Sequence, residues 1–168
     1  MKQLKYFYIF IAVFAAINSA NASDLTKSIR NFKPLVDNIS TGGTISSEGF
    51  LALSDNEFDI IIDARTPPEG TAAEQKQVEA LGMQYFNLPI DGRSIPQARV
   101  TALAKILAQN KGKKILLHCV SANRAGALWA EYQISQGTEV KAALAQGRKI
   151  GMGRGLENWI RDKHKISN

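Results

Sequence analysis

Apolar residues in this chain gather into three compact runs, FDIIIDA at 58–64, MQYFNLPI at 83–90 and KILLH at 114–118. Each is short and apolar enough to be a buried strand. Between them the spacing turns helical. Thr71–Leu81 carries Ala72, Val78 and Leu81 before a stop at Gly82, and 98–110 carries Val100, Leu103, Ile106 and Leu107, with Pro96 in its first turn. Residues 125–135 and 138–149 read as two more helices, and GMGRG at 151–155 is a loop or tight junction before LENWIRDKH. Upstream, 23–39 is weakly periodic and suits a short helix with an extended entry to the domain. STGGT at 40–44 reads as a turn, and Ser46 or Ser47 caps a helix ending near Asn56. Strand and helix alternate, which predicts an α/β fold: a central, mostly parallel sheet with helices on both faces. The carboxyl ends of 58–63, 84–89 and 114–118 then share one edge.

The first 22 residues stand outside this pattern. Lys2 and Lys5 precede an apolar run from Tyr6 to Ile17 and the small-x-small sequence Ala20-Asn21-Ala22, which is the form of an export signal. The run falls short of the roughly 17 to 25 apolar residues that span a bilayer. The expected organisation is a signal peptide at 1–22 and one domain at 23–168, periplasmic or secreted, with no stable membrane insertion after cleavage. The segment holds two lysines and no acid, so the +6 of the whole chain becomes +4 on its removal. That balance favours anionic partners. KGKK at 111–114 and RDKHK at 161–165 lack interleaved aromatics, so they read as solvated faces and no nucleic-acid partner is expected.

The chain holds a single cysteine, Cys119, in HCVSANRAG at 118–126. One thiol closes no disulfide, so in an oxidising compartment it is buried, paired between chains or kept for chemistry. It sits just past a strand's carboxyl end, where ligand sites of α/β sheets gather and a helix amino terminus favours anions. The amides of Val120, Ser121, Ala122 and Asn123 are placed to line an anion cradle, with Arg124 closing it. That field favours thiolate, which attacks electrophilic phosphorus or sulfur. His118 points to the opposite face and supports the loop from beneath. Asn123 also suits a helix cap.

FDIIIDAR, YFNLPID and HCVSANRAGALWAEY, in that order, resemble a bacterial family related to dual-specificity protein phosphatases, the phosphatase-like domain of beta-lactamase hydrolase-like proteins. The resemblance covers nearly the whole chain after the leader and implies a cysteine-phosphatase-like, three-layer α/β/α fold. It implies that Cys119 forms a phospho-cysteine intermediate, that Arg124 and the loop amides bind the phosphoryl oxygens, and that Asp91 is the general acid. The substrate would be a phosphorylated protein or small anionic ester. One departure stands out: four residues separate Cys119 from Arg124, where the usual phosphatase loop has five. Four resembles rhodanese-type sulfurtransferases. A sulfurtransferase and a non-catalytic anion-binding module therefore remain alternatives.

Other polar residues receive plainer expectations. Asp63 orders the loop containing Pro67 and Pro68, Arg65 pairs with Glu69, and Glu74 and Glu79 lie on a solvated helix face. Trp129 and Tyr132 pack their helix against the sheet. His118 and His164 are the two histidines, and with one cysteine they form no metal-ligand spacing; neither a metal nor another cofactor is expected.

Overall fold

The computed structural model of the protein describes residues 25–166; the expected export signal lies outside the described residues. Five strands, β1 (Lys33–Val36), β2 (Ile39–Gly42), β3 (Ile60–Asp63), β4 (Gln84–Asn87) and β5 (Ile115–His118), form one sheet in the order β1-β2-β5-β3-β4. β1 runs antiparallel to β2 and every other pairing is parallel. Among the described residues the named helices are α1 (Ser47–Asp55), α2 (Thr71–Ala80), α3 (Gln97–Gln109), α4 (Asn123–Ser135), α5 (Val140–Ile150) and α6 (Arg154–Lys163). A helical turn at 25–28 precedes β1, and Pro67–Glu69 forms a 3-10 turn.

The two-residue period of the strands splits the core in two. Ile60, Ile62, Ile115 and Leu117 pack with residues of α3, α4, α5 and α6, whereas Ile61 and Leu116 pack with Leu25, Ile29, residues of α1 and Val78 of α2. This is the expected α/β/α sandwich with a mostly parallel sheet. β3 and β5 are buried on both faces, so they read as uninterrupted apolar runs.

One segment departs from expectation. Ser40–Gly42 is strand, not turn, and reversal occurs at Asp37-Asn38 instead. The glycines serve close approach: a Cβ at Gly42 would lie 2.7 Å from Ile29 Cγ2, and one at Gly43 would lie 2.6 Å from the Val120 carbonyl oxygen. Ser46 caps α1, its hydroxyl accepting from the Gly49 amide at 3.2 Å. Pro96 is the N-cap of α3, one position before the helix begins.

Candidate active site

Register sets the site. Gly42 pairs with His118, His118 with Asp63 and Asp63 with Asn87, so four strand ends align on one edge. Cys119 follows β5 and is 1 % exposed, on the face shared with Ile62 and Leu117. Residues 120–122 then turn the chain into α4. Ala122 takes a left-handed conformation, φ 68° and ψ 0°, to make the turn. The loop is clamped from β2: the Thr44 amide donates to the Val120 carbonyl at 3.0 Å, Gly43 bridges to Ser121, and Asn31 Nδ2 donates to the Ser121 carbonyl at 3.2 Å. These bonds engage loop carbonyls from outside. The amides opening α4 have no intrahelical acceptor, which leaves the helix start suited to an anion.

Asn123 is not the cap of α4. Its Oδ1 accepts from the Gly153 amide at 2.7 Å, tying the α5–α6 junction to the cysteine loop, because Ala122 occupies the cap position.

Arg124 projects toward two other loops. Nη1 donates to Glu69 Oε2 at 2.7 Å and to the Ile90 carbonyl at 3.0 Å, while Nη2 donates to Glu69 Oε1 at 2.6 Å. Of its five N–H donors, Nε–H and the second Nη2–H stay available along one edge of the guanidinium. Its affinity for its proton is raised, first by Glu69, with burial opposing and the Cys119 thiol contributing. Glu69 is saturated: Oε2 also accepts from the Thr66 amide and hydroxyl, each at 2.8 Å. Arg124 foremost, and then those bonds, bring its pKa down to about 2, against partial burial.

Glu69 therefore pairs with Arg124, correcting the expected pairing with Arg65. The capping-box spacing of Thr66 and Glu69 was the available signal. Arg65 instead chelates Asp63, with Nε 3.0 Å from both carboxylate oxygens and Nη2 2.7 Å from Oδ2, and it also donates to Glu74. Glu74 is 7 % exposed, so the solvated-face reading fails for it. Thr71, Glu74 and Val78 form one buried stripe on α2, a spacing of three and four.

His118 is fully buried beneath the cysteine loop. Nδ1 lies 3.2 Å from the Gly43 carbonyl and Nε2 lies 2.7 Å from Glu74 Oε1, although neither Nε2 nor Oε1 has an aligned hydrogen-bond partner. Tyr85 donates to Asp63 Oδ2 at 2.7 Å. Burial pushes the Asp63 carboxyl up, but the Arg65 donors foremost, then the neighbouring His118 ring and the Tyr85 hydroxyl, outweigh it, leaving the pKa lowered. Burial and then Asp63 raise the Tyr85 hydroxyl. Asp63, Glu74 and His118 offer ligand atoms within 4.8 Å of one another, but Arg65 already contacts both carboxylates.

Asp91 follows Ile90, whose carbonyl Arg124 holds, so its loop borders the site. The carboxylate itself is 48 % exposed and turned to Arg93, accepting from its amide at 2.9 Å and its Nε at 3.2 Å. The Arg93 amide foremost lowers its pKa. Trp129 donates to Gln146 Oε1 at 3.1 Å, so it packs α4 against α5. No helix among the described residues is long and apolar enough to cross a membrane.

Known proteins carry the same architecture. A DUF442 protein from Shewanella putrefaciens CN-32 superposes with a TM-score of 0.69, at 22 % identity over 86 % of this chain and 99 % of its own. The active form of Tk-PTP gives 0.68 at 16 % identity, covering 82 % and 98 %. The core catalytic domain of the PP-IP phosphatase SIW14 from S. cerevisiae gives 0.63 at 18 %, covering 82 % and 90 %. In sequence, the Beta-lactamase hydrolase-like protein of Xylella fastidiosa is 27 % identical over 134 residues, 74 % of this chain but only 30 % of that relative's length. Residues 9–161 match the phosphatase family described as DSP-PTPase phosphatase fused to NAD+ Kinase, and with most of its length in that match and a dual-specificity-phosphatase-like fold beneath it, the chain belongs to that family.

Proposed function

We propose that this protein is a cysteine-dependent phosphatase acting on phosphate monoesters. The observation that carries the reading is the buried Cys119 at the carboxyl edge of β5, facing the start of α4, with Arg124 anchored so that one guanidinium edge stays available. The Cys119 thiolate attacks phosphorus and the P–O bond to the leaving group breaks. Asp91 gives that oxygen a proton. Water then attacks the phospho-cysteine, Asp91 takes its proton, and phosphate leaves as the thiolate returns. Val120, Ser121, Ala122 and Asn123 supply amides, and Arg124 its two remaining donors, to the equatorial oxygens. Asp91 must leave Arg93 and turn inward as substrate binds, where a drier setting favours its protonated form.

A second reading, sulfur transfer through a Cys119 persulfide, rests on the four-residue loop. It needs no proton donor at Asp91. A paired assay separates the two: wild type and Asp91→Asn on an aryl phosphate, and on thiosulfate with cyanide. The phosphatase reading expects turnover of the phosphate and its loss in Asp91→Asn by roughly 10²-fold or more. Sulfur transfer unchanged by the substitution, with no phosphate turnover in wild type, rejects it. Segment 1–22 is proposed to export the domain; retention of the expressed full chain in the cytoplasmic fraction would contradict that.

A further inference from the structure

The two sides of the cysteine loop differ in charge. On the Asp91 side, Arg124 is matched by Glu69 and Arg93 by Asp91, while Arg99 turns to the Pro89 carbonyl. The other side is built from residues 30–33 and from the α5–α6 junction at 149–154. It holds Arg30, Lys33, Lys149 and Arg154, all exposed, and none of them makes an ion pair among the described residues. Glu157, the one acid within 26–36 and 148–161, is already engaged by Arg148 and Arg161.

Backbone contacts fix these cations against the loop. The Arg30 amide donates to the Thr44 carbonyl at 3.0 Å, and the Arg30 carbonyl accepts from Gly43, the residue that bridges to Ser121. Asn31, at φ 53°, turns the chain so that its side chain reaches the Ser121 carbonyl. The stretch GMGRG at 151–155 closes in from the other direction. A Cβ at Gly151 would stand 3.2 Å from Ala122 Cβ and 3.3 Å from the Ser121 carbonyl oxygen, and Asn123 holds the Gly153 amide, so Arg154 is delivered directly beside the loop. Lys33 joins the two segments: Nζ donates to the Lys149 carbonyl at 2.6 Å, which leaves two of its three N–H groups available.

Like charges gathered at one place repel, and salt screens them fully only beyond about 8 Å. An anion seated among them removes the repulsion and gains charge-assisted bonds, with two guanidinium forks shaped for phosphoryl oxygens. The group held over Cys119 draws on the α4 amides and Arg124, so it leaves Arg30, Lys33 and Arg154 unused. Glu69 and Asp91 repel further negative charge from their own side. Because the cations stand against Ser121–Asn123 itself, a second anionic group must lie close to the first, as it does within one small molecule.

We propose that Arg30, Lys33 and Arg154 form a second anion subsite beside the Cys119 cradle, and that the substrate is a small ester carrying a further phosphoryl group next to the one removed. Lys149 adds to the field without a defined contact. The subsite determines specificity: it binds the part of the substrate that leaves and takes no part in bond making or breaking. The substrate class rests on the phosphatase reading, whereas the subsite itself can be measured without turnover.

Protection of Cys119 from iodoacetamide in the full chain tests it, with orthophosphate and tripolyphosphate as probes at low salt. Tripolyphosphate is expected to protect wild type at a concentration about tenfold lower than orthophosphate does. Arg30→Gln and Arg154→Gln should each cut that ratio by about threefold, and the double variant should bring it near one. Lys111→Gln removes the same charge at the opposite edge of the sheet, beside Asn38, and should leave the ratio as it is. In turnover, a vicinal bisphosphate should exceed its monophosphate by about tenfold in kcat/KM, and the double variant should lose the difference through KM rather than kcat. Equal protection by the two probes in wild type overturns the proposal without recourse to any variant. A ratio unchanged in the double variant, or reduced as much by Lys111→Gln, also overturns it. The predicted ratios in a protein that turns over no phosphate ester refute the phosphatase reading and leave the subsite standing; aryl phosphate turnover without the ratios does the reverse.

Discussion

Glu69 shows how much a single carboxylate arranges. It joins the 3-10 turn to Arg124 and presents that arginine's free edge to the cysteine loop. Its pKa falls from 4.5 to about 2 in the folded protein. The stabilisation is therefore full above about pH 4.5 and disappears as pH falls toward about 2. Glu69→Gln is expected to lower stability by roughly 1 to 3 kcal/mol near neutrality, discounted for partial exposure, and the gap should close in acid; urea melts across that range measure it. Phosphate should also inhibit the variant about tenfold less well, since Arg124 loses its anchor. Ala122 tells a different story. At φ 68° glycine has the conformational advantage, so Ala122→Gly should stay within about 1 kcal/mol of wild type. Ala127→Gly, in the body of α4, should cost about 1 kcal/mol or more by the same melts.

At the scale of elements, β2 and α2 position the site without entering its mouth. β2 brings Gly43 against the cysteine loop, where a Cβ would meet the Val120 carbonyl oxygen at 2.6 Å and Arg30 O at 3.1 Å. Both obstacles are backbone, so neither rotates away. Gly43→Ala is expected to destabilise by about 1 to 3 kcal/mol and to reduce Cys119 alkylation and turnover together; Gly153→Ala, whose Cβ meets only Asn123 at 3.4 Å or more, is the milder comparison. α2 brings Glu74 beneath His118. Its stripe of Thr71, Glu74 and Val78 was present in the sequence, but an isolated glutamate on a helix is ordinarily solvated. Only the buried Arg65, two residues past β3, and His118 at the end of β5 make its burial tolerable.

For the whole molecule, stability should grade from the centre of the sheet outward. β3 and β5 are buried throughout and paired on both sides, whereas β1 is an edge strand with three of four residues exposed. Amide exchange is expected to be slowest in β3 and β5 and fastest in β1. Equal protection across all five strands would show that the sheet opens only with the whole fold. Fast exchange in β5 would contradict the central position of the strand that carries Cys119.

The local pattern was enough for β3, β4 and β5, most of the helices, the layered fold and the place of Cys119 and Arg124 at a strand-to-helix turn. These follow from periods of two and 3.6 residues and from the short run between them, which sequence neighbours dictate. The hairpin of β1 and β2 was not legible, because Gly42 and Gly43 carry the same letters whether they turn or make room for Ile29 and Val120. Nor were the partners of charged side chains. Arg65 has Asp63 two residues away and Glu69 four away, yet Glu69 goes to Arg124, 55 positions distant. Pairing depends on which strand ends the parallel register aligns and on how many donors each carboxylate can still accept, and those quantities exist only once the sheet has formed.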